Sequence, residues 1–439
     1  MRVVVAGGGL AGLTTALRAT ELGARVILLE KGERPGGSFV YSSGYVWSYR
    51  GMQTFRSEAP GGDAALQRLI LERLESGLNW LGDSGGVLLS RETGNPLTFG
   101  ARFDPEQTVA NLAGRVGDSG GEILTNTALE VLLKDTSGRV TGAVASTSGS
   151  ENEYVADAVV LASGGFAANQ DLVVRHIIGG PGTMLVRAHP RSTGDGFLAA
   201  LDTGALASAG LDEFYGRNLP APPAEFPPEQ FVGVSQLYGR YAVAVNARGE
   251  RYADEGADWS ETALTQATAH QPGLYAWYVL DAAGLRVRVR ERTVKDMVET
   301  ARIVGGTVVE ASSLRGLADG LGERGVPRDT VLRTLEEYNV AIATGRETSP
   351  PRTGAATALR LPPFVAVKVA PAITHTVGGL AVDAGCRVLR EAEERPIPGL
   401  YAAGVEAGGV SVGGYTSGLA SALVFGRTAA ESAVADERE

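Results

Sequence analysis

The chain contains one cysteine, Cys386, in 439 residues. That scarcity excludes an internal disulfide, and with it any zinc or iron–sulfur centre held by several thiolates. Histidine is nearly as rare, and its four copies are too widely spaced to form a metal-ligating constellation, so no metal is expected. Positive charge is in deficit, with 40 lysines and arginines against 50 acidic residues and a net charge of −10. Such a surface argues against nucleic acid and against anionic membranes, since both demand a basic patch. No apolar run reaches the ~18 residues of a membrane span, so no membrane insertion is expected. A strand-like run already begins at residue 2, which leaves no room for a signal peptide and sets the expectation of a cytoplasmic protein.

Glycine is abundant, with 60 copies, and the first cluster of them is the most informative stretch of the chain. Val3-Val4-Val5-Ala6 reads as a buried strand, Gly7-Gly8-Gly9-Leu10-Ala11-Gly12 as a loop entering a helix that runs to Leu22, and Arg25–Leu29 as a second strand ending in Glu30. In this βαβ pattern Gly7 allows a tight turn, Gly9 lets backbone approach a pyrophosphate, and Gly12 permits close helix packing. The helix start offers unpaired N–H groups to phosphate, and Glu30 is placed to meet a ribose diol. Lys31 and a second glycine pair, Gly36-Gly37, precede Ser38. That pair supplies another backbone segment able to close over the pyrophosphate of a long, extended dinucleotide.

Farther along, Leu66–Leu81 has helical periodicity, residues 121–144 suit a strand pair turning at Gly138, and Val155–Ala162 reads as a buried strand. The texture changes near Phe214. Leu219–Pro228 is proline-rich and reads as a loop, Tyr241–Asn246 as a strand leading into a hairpin, and Thr293–Ala343 as helical. Strand and glycine signals return after Ala370. We therefore expect an α/β fold in which one Rossmann-like nucleotide domain, residues 1–212 and 375–439, is interrupted by an α+β cap over 213–374.

The sequence resembles the fumarate reductase and succinate dehydrogenase flavoprotein family, whose nucleotide domain is of the glutathione-reductase type and which also holds 3-ketosteroid and tricarballylate dehydrogenases. The likeness is carried by the first thirty residues and by Val159–Phe166, Ser192-Thr193-Gly194-Asp195-Gly196 and Gly399–Gly404, in that order, and runs from Arg2 to about Ala430. It implies FAD, and it extends the cofactor contacts beyond the opening motif to Ser43, Gly44, Leu129, Ala162, Gly164, Asp195, His375, Gly404, Glu406, Gly418 and Leu419. Thr416 or Ser417 can cap a helix starting near Gly418, whose positive end the resemblance places at the pyrimidine side of the flavin. Where the family has Gly-Glu at the ribityl contact, this chain has Gly404-Val405-Glu406. Members that tether FAD use a histidine soon after the second glycine pair, and Ser38–Trp47 has none, so the expected FAD is non-covalent.

The family's fumarate chemistry is missing its usual side chains. The proton-donating arginine position is Trp259, the preceding glutamate and arginine relay positions are Ser235 and Tyr238, and the carboxylate-binding arginine expected between Gly409 and Gly418 is absent. An indole cannot act as a general acid near neutral pH. A dicarboxylate needs fixed cations to offset its desolvation, so a ketone, enone or mono-acid fits better. Tyr238, Tyr415, His375 and Arg217 are the catalytic candidates, with Tyr41, Tyr45, Arg240, Trp259 and Thr374 as substrate-facing ones. Each tyrosine fits core packing as well as catalysis, Trp259 fits a wall, and Arg217 fits a solvated surface position. The reading is an FAD-dependent dehydrogenase or ene-reductase that exchanges electrons with an external carrier. Tricarballylate-like carboxylate oxidation, a flavin monooxygenase or oxidase, and a flavin-binding protein of low activity are the alternatives.

Overall fold

A computed structural model describes residues 1–354, 356–392 and 394–438. Its first strand, β1 (Arg2–Ala6), turns directly into the helix α1 (Leu10–Glu21), which returns to β2 (Arg25–Leu29). β1 and β2 are parallel, with Val4 opposite Ile27, and Val4 is opposite Val159 of the parallel strand Ala158–Leu161 on the other side. Val3, Val4 and Val5 are all essentially buried, as expected of a strand covered on both faces in a parallel sheet. Across this sheet the order is Arg387–Leu389, Pro396–Ala402, Ala158–Leu161, β1, β2 and Glu122–Leu124. Its strands thus come from both ends of the chain. The C-terminal helix Gly418–Asp436 packs closely on α1: a Cβ on Gly426 would stand 2.7 Å from the Ala11 carbonyl oxygen, and Thr15 Oγ1 donates to the Gly426 carbonyl over 3.1 Å.

Two compact units emerge. The first comprises Met1–Ile177, Ala188–Phe214 and His375–Glu439; the second comprises Ile178–Arg187 and Tyr215–Thr374. In the second, the strand Ala276–Leu280 alternates cleanly, with Trp277 and Val279 on one core cluster and Ala276, Tyr278 and Leu280 on another. Phe364–Thr376 runs antiparallel to it and splits the same way: Phe364 and Ala366 join the first cluster, Val365, Val367 and Val369 the second. A sheet with a core on each face explains why these runs are apolar at nearly every position.

Some local expectations need correction. Helices do dominate residues 293–343, but a strand missed in the sequence, Val308–Ala311, separates Val294–Ile303 from Leu314–Gly322 and pairs with Phe364–Val367. Four residues carry too short a pattern to stand out from amphipathic neighbours. The proline-rich stretch starting at Leu219 begins inside a strand, Phe214–Pro220. Ile178–Arg187, placed in the nucleotide domain from sequence, belongs to the second unit, where Leu185 and Val186 pair with Ala372 and Ile373.

Candidate flavin site and cap side chains

The turn from β1 into α1 is built by backbone contact. A Cβ on Gly12 would lie 1.7 Å from the Gly7 carbonyl oxygen, so no other residue fits there. Gly9 caps α1 with extended backbone and no side-chain hydrogen bond, and the first turn contains no acidic residue. Its opening N–H groups are therefore left for an anion. The second glycine pair closes on the first: Gly36 N–H donates to the Gly8 carbonyl over 2.8 Å, and a Cβ on Gly37 would come within 3.1 Å of Gly9 Cα. Glu30 is 7 % exposed and its carboxylate accepts from Gly8 N at 2.7 Å and Gly32 N at 2.5 Å. It thus orders the loop first, and a ribose diol would meet its remaining lone pairs.

Other cofactor candidates are distributed around this cradle. Lys31 and Asp195 engage each other at 2.9 Å, with Thr193 Oγ1 accepting from Lys31 at 2.7 Å. Ser38 Oγ accepts from His189 N, and the Ser43 carbonyl from Arg102. A Cβ on Gly44 would strike the Phe103 carbonyl, which gives that glycine a packing role. Ala162 and Leu129 are nearly buried, Leu129 within the strand Thr127–Lys134. A Cβ on Gly404 would touch Ala11 at 3.0 Å.

Glu406 is fully buried. Its Oε2 accepts from Ser163 Oγ at 2.6 Å, Gly164 N at 3.0 Å and Gly165 N at 3.3 Å, whereas Oε1 is buried without a hydrogen-bond partner among the described residues. Burial raises the pKa of this carboxyl, and the Ser163 and backbone donors pull it back. Thr376 Oγ1 is a second buried oxygen lacking a partner, and a Cβ on Gly165 would stand 2.9 Å from it. Ser417 Oγ caps the C-terminal helix by accepting from Ala420 N at 3.3 Å. Just before Leu419 in its first turn, a Cβ on Gly418 would lie 3.1 Å from His375 Nε2, so the imidazole shares one location with the helix start. Tyr415, half-buried, packs edge-on against Trp47 at 5.3 Å, and its carbonyl accepts from Tyr49 Oη. Tyr45 lies under the Arg102 guanidinium, and Tyr41 packs against His189.

The candidates of the second unit divide differently. Tyr238, proposed from sequence as catalytic, is completely buried, donates from Oη to Gln236 Oε1 at 2.7 Å, and packs against Tyr278. Burial drives its phenol pKa well up, so it does not ionise readily, and its side chain packs within a hydrophobic core cluster. Arg217 is not a solvated surface arginine: it is 5 % exposed and faces Glu261 electrostatically. Glu261, unnoticed in the sequence, has φ of +56°, is nearly buried, and accepts from Arg240 N at 3.1 Å. Desolvation raises its pKa and Arg217 opposes that rise. Trp259 and Thr374 are half-buried. Arg187, also missed, donates from Nε to Ser235 Oγ at 3.2 Å and from Nη1 to Thr374 Oγ1 at 2.9 Å. It lies in the short segment wrongly assigned from sequence, so no motif pointed to it.

Sequence comparison matches residues 2–423 to the family described as FAD binding domain. The chain belongs to this family. It is 28 % identical to NADH:fumarate oxidoreductase of Klebsiella pneumoniae (strain 342), covering 98 % of this chain and 47 % of that protein. The same identity over 98 % of this chain links it to a probable fumarate reductase of Shewanella frigidimarina (strain NCIMB 400), of which 74 % is covered. The chain thus spans about half the length of the first relative and three quarters of the second. The 3-ketosteroid delta1-dehydrogenase of Sterolibacterium denitrificans, in complex with 1,4-androstadiene-3,17-dione, has the same fold, with a TM-score of 0.79, 20 % identity and 99 % of each chain covered. The FAD binding family and the cradle agree: the uncapped start of α1 suits a pyrophosphate, and the orphaned Glu406 Oε1 and Thr376 Oγ1 suit the hydroxyls and ring edge of a flavin nucleotide. The expected cofactor is thus FAD. Among the described residues no helix is long and apolar enough to cross a membrane, and no group of three or more metal-ligating side chains is assembled.

Proposed function

We propose that the protein is a cytoplasmic reductase or dehydrogenase acting on a carbon–carbon bond conjugated to a ketone or carboxyl group, with non-covalent FAD and an external electron carrier. Bound FAD supplies a hydride acceptor or donor at N5. The observation that carries this reading is the meeting of His375 Nε2 with the start of the helix Gly418–Asp436, beside the buried Thr376 and Glu406 oxygens. The N–H groups of that helix start are the donors that can polarise a carbonyl oxygen there, while the imidazole, whose Nδ1 donates to the Thr376 carbonyl at 3.1 Å, presents Nε2 as a proton acceptor. Polarisation makes the adjacent carbon more acidic in the oxidative direction and makes the β-carbon a better hydride acceptor in the reductive one. The Tyr415 hydroxyl and the His375 imidazole are the first unit's groups able to give or take the proton at the α-carbon. Arg217 and Arg240, with Glu261 between them in charge, are the second unit's charged candidates and Trp259 its apolar one, while Tyr41 and Tyr45 are the first unit's aromatic candidates.

Anaerobic oxidation of a reduced viologen, followed with cyclic enones, steroid enones, unsaturated mono-acids and fumarate, tests the reading. Turnover of one of the first three classes above the fumarate rate is expected. Inactivity with all of them, together with NAD(P)H-dependent oxygen consumption, would replace it by a monooxygenase or oxidase.

A further inference from the structure

Arg187 brings a cation to the side-chain positions that sequence matching had left uncharged. It follows the strand Leu185–Val186, and its own N–H donates to the Ile373 carbonyl at 2.8 Å, which fixes its backbone beside Thr374. Side-chain bonds to Ser235 Oγ at 3.2 Å and to Thr374 Oγ1 at 2.9 Å help to fix the guanidinium. The hydroxyl protons are decided by their surroundings. Ser235 is fully buried and donates its proton to the Phe231 carbonyl at 2.6 Å, so its oxygen serves as an acceptor for Arg187. Thr374 Oγ1 likewise accepts from Arg187, which leaves its own O–H to donate. Arg187 and Thr374 are both half-buried, so neither is sealed in the core.

A guanidinium with a hydroxyl donor beside it matches the two oxygens of a single carboxylate. We propose that Arg187 and Thr374 form the carboxylate-recognition pair of the cap and that the preferred substrates are α,β-unsaturated mono-acids. The inference rests on the reductase reading above and deepens it from a ketone-or-acid class to an anionic one. Ser235 is a positioning residue, since it acts by orienting Arg187. One such pair satisfies one carboxylate. A dicarboxylate would need a second set of cationic donors.

The test compares crotonate with methyl crotonate, which has nearly the same carbon skeleton but no charge, using the FAD-loaded enzyme and a reduced viologen. Arg187→Ala should lower kcat/KM for crotonate by about 10²-fold, chiefly through KM, and leave methyl crotonate within about threefold. Arg187→Lys should recover part of the loss, because charge returns without the fork. Equal losses on acid and ester, with unchanged flavin content, would make Arg187 a structural tie and overturn the proposal. An unchanged crotonate rate would overturn it as well. Where the wild type turns over neither compound, the reductase reading fails by itself, and binding decides the pair: butyrate should perturb the flavin spectrum of the wild type with a Kd about 10²-fold below that of Arg187→Ala. Equal butyrate affinities, or no perturbation by butyrate in the wild type, would contradict it.

Discussion

The two units bring their polar groups together by different means. In the first, the nucleotide cradle is made mostly of backbone: glycines abut one another, a helix opens without a cap, and Glu30 ties two loop N–H groups together. In the second, the polar groups that face one another are side chains from distant segments, such as Arg217 with Glu261 and Arg187 with Ser235 and Thr374. Backbone recognition constrains spacing, because a Cβ in the wrong place collides. Side-chain recognition constrains only where chains meet, and many sequences can supply a guanidinium at one point in space.

That contrast orders the expected effects. The largest should come from Gly12→Val, whose Cβ would sit 1.7 Å from the Gly7 carbonyl. No rotamer relieves a backbone collision, so the purified variant should carry no flavin absorbance, and retention of full FAD would break the account of the cradle. Glu30→Ala should weaken FAD binding by about 1–3 kcal/mol, measured by titration of the flavin-stripped protein, because it removes an acceptor for Gly8, Gly32 and the ribose.

Tyr238→Phe is expected to act on stability and to spare chemistry. Loss of the bond to Gln236 leaves a buried acceptor unsatisfied, which costs about 1–3 kcal/mol in denaturant unfolding. A tenfold or greater fall in flavin-reduction rate, with unchanged stability, would return Tyr238 to the catalytic group. The pH dependence of Glu406 should be smaller. Its folded pKa is raised above the ordinary 4.5 by burial, so its favourable contribution is complete below the unfolded value and is lost as pH rises through the folded one. In flavin-stripped protein Glu406→Gln should therefore gain stability relative to wild type as pH is raised from the ordinary carboxylate range upward. A constant difference across that range would show that the carboxyl is not destabilised by burial. At the bottom of the scale, Trp259→Arg should add little fumarate turnover, since Ser235 and Tyr238 still occupy the relay positions.

What could be read in the sequence follows the same division. Gly7, Gly9, Gly12 and Glu30 announced the cradle because strand, turn, helix and strand must follow one another within thirty residues. Ser417 as a helix cap was equally legible, since capping acts over three residues. The burial of Tyr238 was not legible, because it lies in the turn before the strand Val243–Val245, where no periodicity marks a buried face or shows that Gln236 would take its hydroxyl. Arg187 was invisible for another reason: residues 187 and 374 meet only after the long strand Phe364–Thr376 has paired with Leu185–Val186. Glu261 carried no local mark either, because its left-handed backbone is a product of its surroundings.

The central claim is the proposed one, that the FAD-loaded protein transfers hydride to carbon–carbon bonds conjugated to a carbonyl group. It is tested most directly by a single turnover: photoreduced enzyme is mixed with crotonate without oxygen, flavin absorbance is followed, and the product is identified by mass. The account predicts full return of the oxidised flavin spectrum with one equivalent of butyrate formed, and a much slower return with fumarate. A flavin that stays reduced with crotonate, methyl crotonate and enones alike, yet reoxidises with oxygen while hydroxylating an added substrate, would contradict it.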